Sequence, residues 1–310
     1  MPSLHSHATE LQQIWKGQIL WDCPLARFST LKVGGPAEAV LIAQEQEGLS
    51  RLIRWLNGQG IGWQVIGRGS NILVPDEGLT GAVIILDGEL AAIEEIAATD
   101  SGRLLRAGAG ASLARLAAYC TDQGLTGLEF TVGIPGSFGG AIVMNAGAWG
   151  REIGALIESV TLLDRQGDLH VIERPALKFS YRRWENFAQG IVLSAILTVA
   201  NGDRQMIAST CREYAESRRR KQPQGVASAG SFFKNPAGQA AGRLIDEAGL
   251  KGTKFGGAMV SMQHANFIVN TGTASARDIF ALMREIQTKV FDKFGIRLEP
   301  EVHILGQNGN

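Results

Sequence analysis

Cysteine, net charge and long apolar runs are all scarce in this chain. Its three cysteines, Cys23, Cys120 and Cys211, are odd in number and widely separated, so neither a disulfide framework nor a cysteine-built metal cluster is expected and the thiols read as reduced and structural. His264 and His303 stand at no metal-ligand spacing from a cysteine or another histidine, and no metal is expected. Lys plus Arg and Asp plus Glu each number 30, a balance that argues against general attraction to nucleic acid or an anionic membrane while leaving a local basic site open. No stretch supplies the roughly 20 apolar residues that span a bilayer, and the opening Met1-Pro2-Ser3-Leu4-His5 has neither the cationic start nor the apolar core of a signal peptide. A cytoplasmic protein without nucleic-acid or membrane partners is the expectation.

Glycine, by contrast, makes up 39 of the 310 residues, which points to backbone geometry used for function. The segment from Phe130 to Gly150 carries no charged residue and has glycines at 133, 136, 139, 140, 147 and 150. Glycine lets backbone approach a ligand closely and adopt positive φ, so such a run can present N–H donors to an anion such as a diphosphate without a cationic side chain. Pro135, Asn145 and the glycines rule against a membrane span, and Phe130, Val132, Ile134, Phe138 and Trp149 rule against a polar linker. A second glycine turn, Gly67-Arg68-Gly69-Ser70-Asn71, lies between two apparent strands and opens no helix, so it is not a Rossmann loop. Gly108-Ala109-Gly110-Ala111-Ser112-Leu113 imitates the Rossmann fingerprint more closely, but Leu113 stands where helix packing needs a small residue.

At 310 residues the chain exceeds the size at which single cores usually stop growing, so two or three domains are expected. Short apolar runs at 39–42, 63–66, 72–74 and 82–86 read as strands around a helix carrying Leu49, Leu52, Ile53 and Leu56 on one face. Strands at 104–107, 157–163, 169–172 and 191–199 follow, with a helix capped by Ser112. Beyond Asn201-Gly202-Asp203 come helices near 204–218 and 240–248 and a strand at 267–270. The longest helix, 275–294, starts at a Ser275/Asp278 capping box and stops at Gly295, and the last strand is read at 301–305. The division that results is 1–90 and 91–200 as two subdomains and 201–295 as a third, smaller one, with a C-terminal strand in 296–310 returning to the first.

The third segment holds reactive side chains. Gly230-Ser231-Phe232-Phe233-Lys234-Asn235-Pro236 puts a hydroxyl, a cation and an amide in one loop, with no Gly-x-Ser-x-Gly elbow to make Ser231 a hydrolytic nucleophile. Tyr181-Arg182-Arg183 and Arg218-Arg219-Arg220-Lys221 are either solvated faces or anion-capturing forks. Glu301 is either edge decoration or a buried acid, with His303 on the same strand face.

Taken in order, Ser29-Thr30-Leu31-Lys32-Val33-Gly34-Gly35-Pro36-Ala37, Gly67 to Asn71, the 127–153 run, Gly230 to Pro236 and His264-Ala265-Asn266-Phe267 resemble the UDP-N-acetylenolpyruvoylglucosamine reductase (MurB) family, in its shorter second type. The resemblance covers about Leu25 to Ile304. It implies an α+β fold, a bipartite PCMH-type FAD-binding portion plus a smaller α+β substrate-binding domain. It also implies FAD and NADPH as cofactors and a UDP-sugar substrate. Carried across motif by motif, Arg182, Ser231 and Glu301 align with catalytic positions, and Tyr181, Lys234, Asn235 and His264 with substrate binding. Gly67, Arg68, Gly69, Ser70, Asn71, Gly133, Ile134, Pro135, Gly136, Ser137, Gly140, Asn145, Ala146 and Gly147 align with FAD binding.

In the implied chemistry NADPH reduces FAD, hydride then passes to C3 of the enolpyruvyl group, Arg182 and a protonated Glu301 stabilise the charge spreading into its carboxylate, and Ser231 protonates C2. A buried setting would keep Glu301 neutral. The five histidines, at 5, 7, 170, 264 and 303, lie outside the glycine loops, so FAD is expected to be noncovalent. Trp149 and Trp184 replace residues common in the family and leave local contacts open. A PCMH flavin oxidase is the rival enzyme reading, and a nucleotide-binding module without chemistry the rival of another class; neither needs the Ser231 and Glu301 motifs.

Overall fold

A computed structural model describes residues 3–187 and 190–306. The chain forms two compact units that interleave along the sequence. The first takes the stretches up to Trp21, Ala39–Gly67 and Thr80–Ser217, and the second takes Asp22–Glu38, Arg68–Leu79 and the chain from Arg218 onward.

In the first unit a four-stranded sheet runs in the order Gln18–Pro24, Pro36–Ala43, Leu79–Leu86, Trp63–Val65, the last two parallel. Helices α1 (Ala8–Ile14) and α2 (Gln46–Gly58) belong to the same unit. The Glu45 carboxylate caps α2 by accepting from the Gly48 N–H, and Leu49, Leu52, Ile53 and Leu56 are buried along its inner stripe. A second sheet is antiparallel throughout, in the order Leu169–Glu173, Ile157–Asp164, Gly190–Asn201, Gly102–Gly108, Ile93–Thr99. Helix α3 (Leu113–Asp122) is capped by Ser112, whose Oγ accepts from the Arg115 N–H. Short α4 (Phe138–Val143) and long α5 (Arg204–Lys221) follow.

The Gly108–Leu113 turn does join a strand to a helix, but the antiparallel neighbours of that strand exclude a Rossmann crossover. Its glycines are there for packing: a Cβ on Gly108 would collide with the Leu90 carbonyl, and one on Gly110 with the Leu86 carbonyl. Cys120 is buried in this core, and burial, followed by the Glu129 carboxylate and Cys211, pushes its thiol up to about 12, in keeping with an inert structural cysteine.

The second unit has a four-stranded sheet in the order Ala227–Ser228, Ile268–Asn270, Ala258–Val260, Lys254–Phe255, with helices α6 (Ala241–Glu247) and α7 (Ala276–Phe294). Helix α7 starts at the expected capping box and ends at Gly295 with φ 68°. The Asp76 carboxylate also accepts from the Ala276 and Arg277 N–H groups at 2.7 and 3.0 Å, a second anchor at the helix start. Interleaving has a plain cause. Leu31, Val33 and Leu73 are buried among Phe232, Phe233, Ile279 and Leu282, so two early stretches complete a core made mostly of late residues. The C-terminal segment returns as well: His303–Ile304 pairs in parallel with Ile72–Leu73, while 307–310 lie outside the described residues.

Candidate functional site

Ser137 organises the uncharged glycine run. Its backbone forms an isolated bridge with Ser112, and its Oγ caps α4 by accepting from the Gly140 N–H. The middle of the run is therefore a short helix, not the continuous open cradle that glycine content alone implies, because Phe138, Ala141 and Ile142 have a core to enter. The segment before it keeps the cradle character. Among the described residues, no acceptor meets the backbone N–H of Gly133, Gly136 or Ser137. Gly67 lies against this point, since a Cβ there would collide with Ser137 Oγ. In the turn that follows Gly67, the N–H groups of Arg68, Gly69 and Ser70 likewise meet no acceptor among the described residues. Gly69 has φ 62°, and a Cβ on it would strike the Phe28 carbonyl. Runs of unengaged N–H groups on glycine-permitted backbone are anion-binding geometry.

After α4 the chain turns twice within the first unit. Gly147–Ala148 pairs with Arg151–Glu152 across Trp149 and Gly150, whose φ values of 56° and 75° give the doubly left-handed turn that two-residue hairpins favour. Trp149 stacks on Tyr214 at 4.7 Å and 7°. Phe179–Ser180 pairs with Arg183–Trp184, so Tyr181 and Arg182 form the tip of a second hairpin. Arg182 sits there at φ 58°, a conformation that costs a non-glycine residue about 1–2 kcal/mol. Its Nη1 donates to the Gly147 carbonyl at 3.2 Å, and its guanidinium lies 5.5 Å from the centre of the exposed Tyr181 ring. Trp184 is buried against Phe179 and Phe187, a core position.

In the second unit Ser231 and Glu301 are carried by adjacent strands of backbone. The Glu301 N–H donates to the Phe232 carbonyl at 2.9 Å, the Lys234 N–H donates to Glu299, and Phe233 bridges Pro300. Buried Asn266 clamps the other side: its Oδ1 accepts from the Phe233 N–H, and its Nδ2 donates to the Phe233 carbonyl. His264 steadies Asn266, accepting its N–H at Nδ1. Burial of the ring, then the nearby Lys251 cation, holds His264 below the ordinary histidine range, so the neutral form that this bond needs is the favoured one. Asn71 completes the frame. Its Nδ2 donates to the Glu301 carbonyl at 3.1 Å, and its own carbonyl accepts from the His303 N–H. Among the described residues no group is bonded to the half-buried Ser231 hydroxyl. Glu301 is half-buried rather than enclosed. Lys234 pairs loosely with Glu299 at 3.5 Å, and Asn235 Oδ1 accepts from the Ala241 N–H at the start of α6.

Residues 37–173 match a model described as FAD binding domain, and 222–305 match one described as UDP-N-acetylenolpyruvoylglucosamine reductase, C-terminal domain. The UDP-N-acetylenolpyruvoylglucosamine reductase of Syntrophus aciditrophicus is 39% identical, covering 100% of this chain and 99% of that protein. This chain belongs to that reductase family. The Pelobacter propionicus member is 43% identical over 94% of this chain and 97% of its own length. The solved reductase from Thermus caldophilus superposes with a TM-score of 0.79 at 36% identity, covering 93% of this chain and 98% of that one. The fold is the expected one, an α+β architecture with a bipartite PCMH-type FAD-binding portion and a smaller α+β domain.

The residues present suit the family's cofactor, because the N–H groups of Gly133, Gly136 and Ser137, which meet no acceptor among the described residues, are donors for an anion such as a diphosphate. Gly67→Ala is expected to drive a methyl group into Ser137 Oγ and release FAD. The flavin absorbance retained through gel filtration measures this. Asn71, Asn145, Asn235 and His264 each spend side-chain bonds on the protein itself. Asn266 carries no signal in the sequence beyond its place in the His264-Ala265-Asn266-Phe267 motif. Only its tertiary partners show it to be the clamp on the Ser231 loop.

Proposed function

We propose that this protein is an NADPH-dependent flavoenzyme, UDP-N-acetylmuramate dehydrogenase, which reduces the enolpyruvyl group of UDP-N-acetylenolpyruvoylglucosamine to UDP-N-acetylmuramate for peptidoglycan precursor synthesis. The observation that carries this reading is the match to reductases of that name over essentially their whole length. Bound FAD supplies the hydride relay from NADPH to C3 of the substrate. The chain does the rest. Arg182, steadied on the Gly147 carbonyl, and Glu301, in its protonated form, are assigned to the enolpyruvyl carboxylate, where negative charge accumulates. Ser231 is assigned the proton delivered to C2, a neutral donor suited to a basic carbon.

Tyr181 and Lys234 are assigned to substrate contact. Asn235 and His264, which bond α6 and Asn266, serve the substrate from one step behind. FAD binding is assigned to Gly67–Asn71, Gly133–Ser137, Gly140 and Asn145–Gly147, with the Asn71 and Asn145 side chains bonded within the protein, and is noncovalent. Residues 1–90 and 91–200 are assigned as the two FAD subdomains and 201–295 as the substrate domain, although 22–38 and 68–79 fold in the same compact unit as the chain from Arg218 onward. The reaction is assigned to the cytoplasm, with a small-molecule UDP-sugar substrate and no nucleic-acid or membrane partner.

The test is anaerobic stopped-flow on the purified holoenzyme. NADPH should bleach the flavin band near 450 nm, and UDP-N-acetylenolpyruvoylglucosamine should restore it with formation of UDP-N-acetylmuramate, about one per flavin. Restoration by oxygen alone, with no turnover of the UDP-sugar, would sink the reading.

A further inference from the structure

Asn145 is 1% exposed and has φ 40° at the end of the glycine run, where an FAD contact is the obvious assignment. Its side chain is committed elsewhere. Nδ2 donates to Glu152 Oε2 at 2.6 Å and to the Ser180 carbonyl at 3.0 Å, and Oδ1 accepts from the Gly154 N–H at 3.0 Å. Both amide protons and the amide oxygen are thereby occupied. Ser180 is the last residue before the Tyr181-Arg182 tip, and Arg182 donates to the carbonyl of Gly147, which is paired in register with Glu152. The contacts form a closed circuit within the first unit: Asn145 to Ser180, along the tip to Arg182, across to Gly147, over the hairpin to Glu152, and back to Asn145.

We propose that Asn145 is a positioning residue for Arg182, holding the left-handed hairpin tip and the Gly147 carbonyl in one geometry through Ser180 and Glu152. This rests on the assignment of Arg182 to the substrate carboxylate. The chemistry of the amide explains why asparagine stands here. It tolerates positive φ and offers two donors and an acceptor at once, a combination that alanine lacks outright and aspartate lacks as an anion beside Glu152. A hairpin tip held at φ 58° by a non-glycine residue relaxes when its anchor is lost, and misplacement of a substrate-orienting group by about 1 Å can cost on the order of 100-fold.

The variant Asn145→Gly removes the side chain and keeps the backbone conformation accessible. The expected result is retained FAD, flavin reduction by NADPH within about twofold of the unaltered enzyme, and reoxidation by UDP-N-acetylenolpyruvoylglucosamine slowed about 10- to 100-fold, with weaker calorimetric binding of that substrate to the oxidised enzyme. Combining it with Arg182→Ala should slow reoxidation no further than Arg182→Ala alone, since the two act on one group. Loss of FAD, equal slowing of both half-reactions, or additive losses in the double variant would overturn the proposal. If Asn145→Gly does not fold, Glu152→Gln carries the same comparison: the same split supports the circuit and equal losses overturn it. An Arg182→Ala enzyme with normal reoxidation would instead overturn the assignment of Arg182, a separate result.

Discussion

Ser231→Ala is expected to leave reduction of the enzyme by NADPH unchanged and to slow its reoxidation by UDP-N-acetylenolpyruvoylglucosamine by about 10²–10⁴-fold, the usual worth of a positioned proton donor. The asymmetry follows from chemistry. Reduction of bound FAD by NADPH would need no proton at C2 of the sugar substrate, so Ser231 as donor to that carbon would have nothing to do in the first half-reaction. The hydroxyl precedes a stretch, Phe232 to Lys234, whose backbone is bonded to Asn266 on one side and residues 299–301 on the other. Ser231 borders that clamp without contributing a side chain to it, so alanine should alter the chemistry and not the fold. A single-turnover experiment in deuterated buffer adds a second readout, because the solvent isotope effect on reoxidation should change when the donor is removed. If Ser231→Ala slows both half-reactions equally, the proton-donor role is lost.

The second large effect is at Glu301. Glu301→Ala should lower the reoxidation rate by about 10²–10³-fold, in line with the loss of one preorganised donor to developing negative charge. Glu301→Gln keeps a neutral group of the same shape with N–H donors, and should retain most of the activity if the protonated acid is the working form. The pair of substitutions therefore reports the protonation state. Alanine and glutamine equally slow would mean that a carboxylate is required, and so would activity that rises with pH through a Glu301-dependent step. Glu301 is half-buried rather than enclosed. Its main chain is rigidly set, by the Phe232 carbonyl below and the Asn71 amide above.

Several elements were legible from sequence because their causes are local. Ser112 and Ser275 cap helices, Gly295 ends one with a left-handed residue, and Leu49, Leu52, Ile53 and Leu56 bury one stripe, all from interactions within a few turns of chain. The glycine turn at 67–71 was legible for the same reason, because only glycine tolerates the Gly69 conformation and the Phe28 carbonyl packed against it. Helix α4 was hidden inside the glycine run, since its Ser137 cap is a local signal but the face that holds the helix enters a core supplied by distant chain. The Arg182 hairpin was hidden too: a left-handed arginine has no signature in sequence, and the bonds at Ser180 and Gly147 that accompany it come from chain some 35 residues away.

Residue types at short range thus determined the motifs, their order and, through resemblance, the family and its chemistry. Tertiary structure alone decided which partners the polar side chains of those motifs bond within the protein. Asn71, Asn145, Asn235 and His264 look like binding residues in a string of letters, yet each spends its amide or ring nitrogen on backbone that lies far from it or bends back toward it. The physical reason is that a polar side chain taken out of water must be satisfied by whatever the fold brings to it, and those partners are set by chain crossings that short-range sequence does not encode.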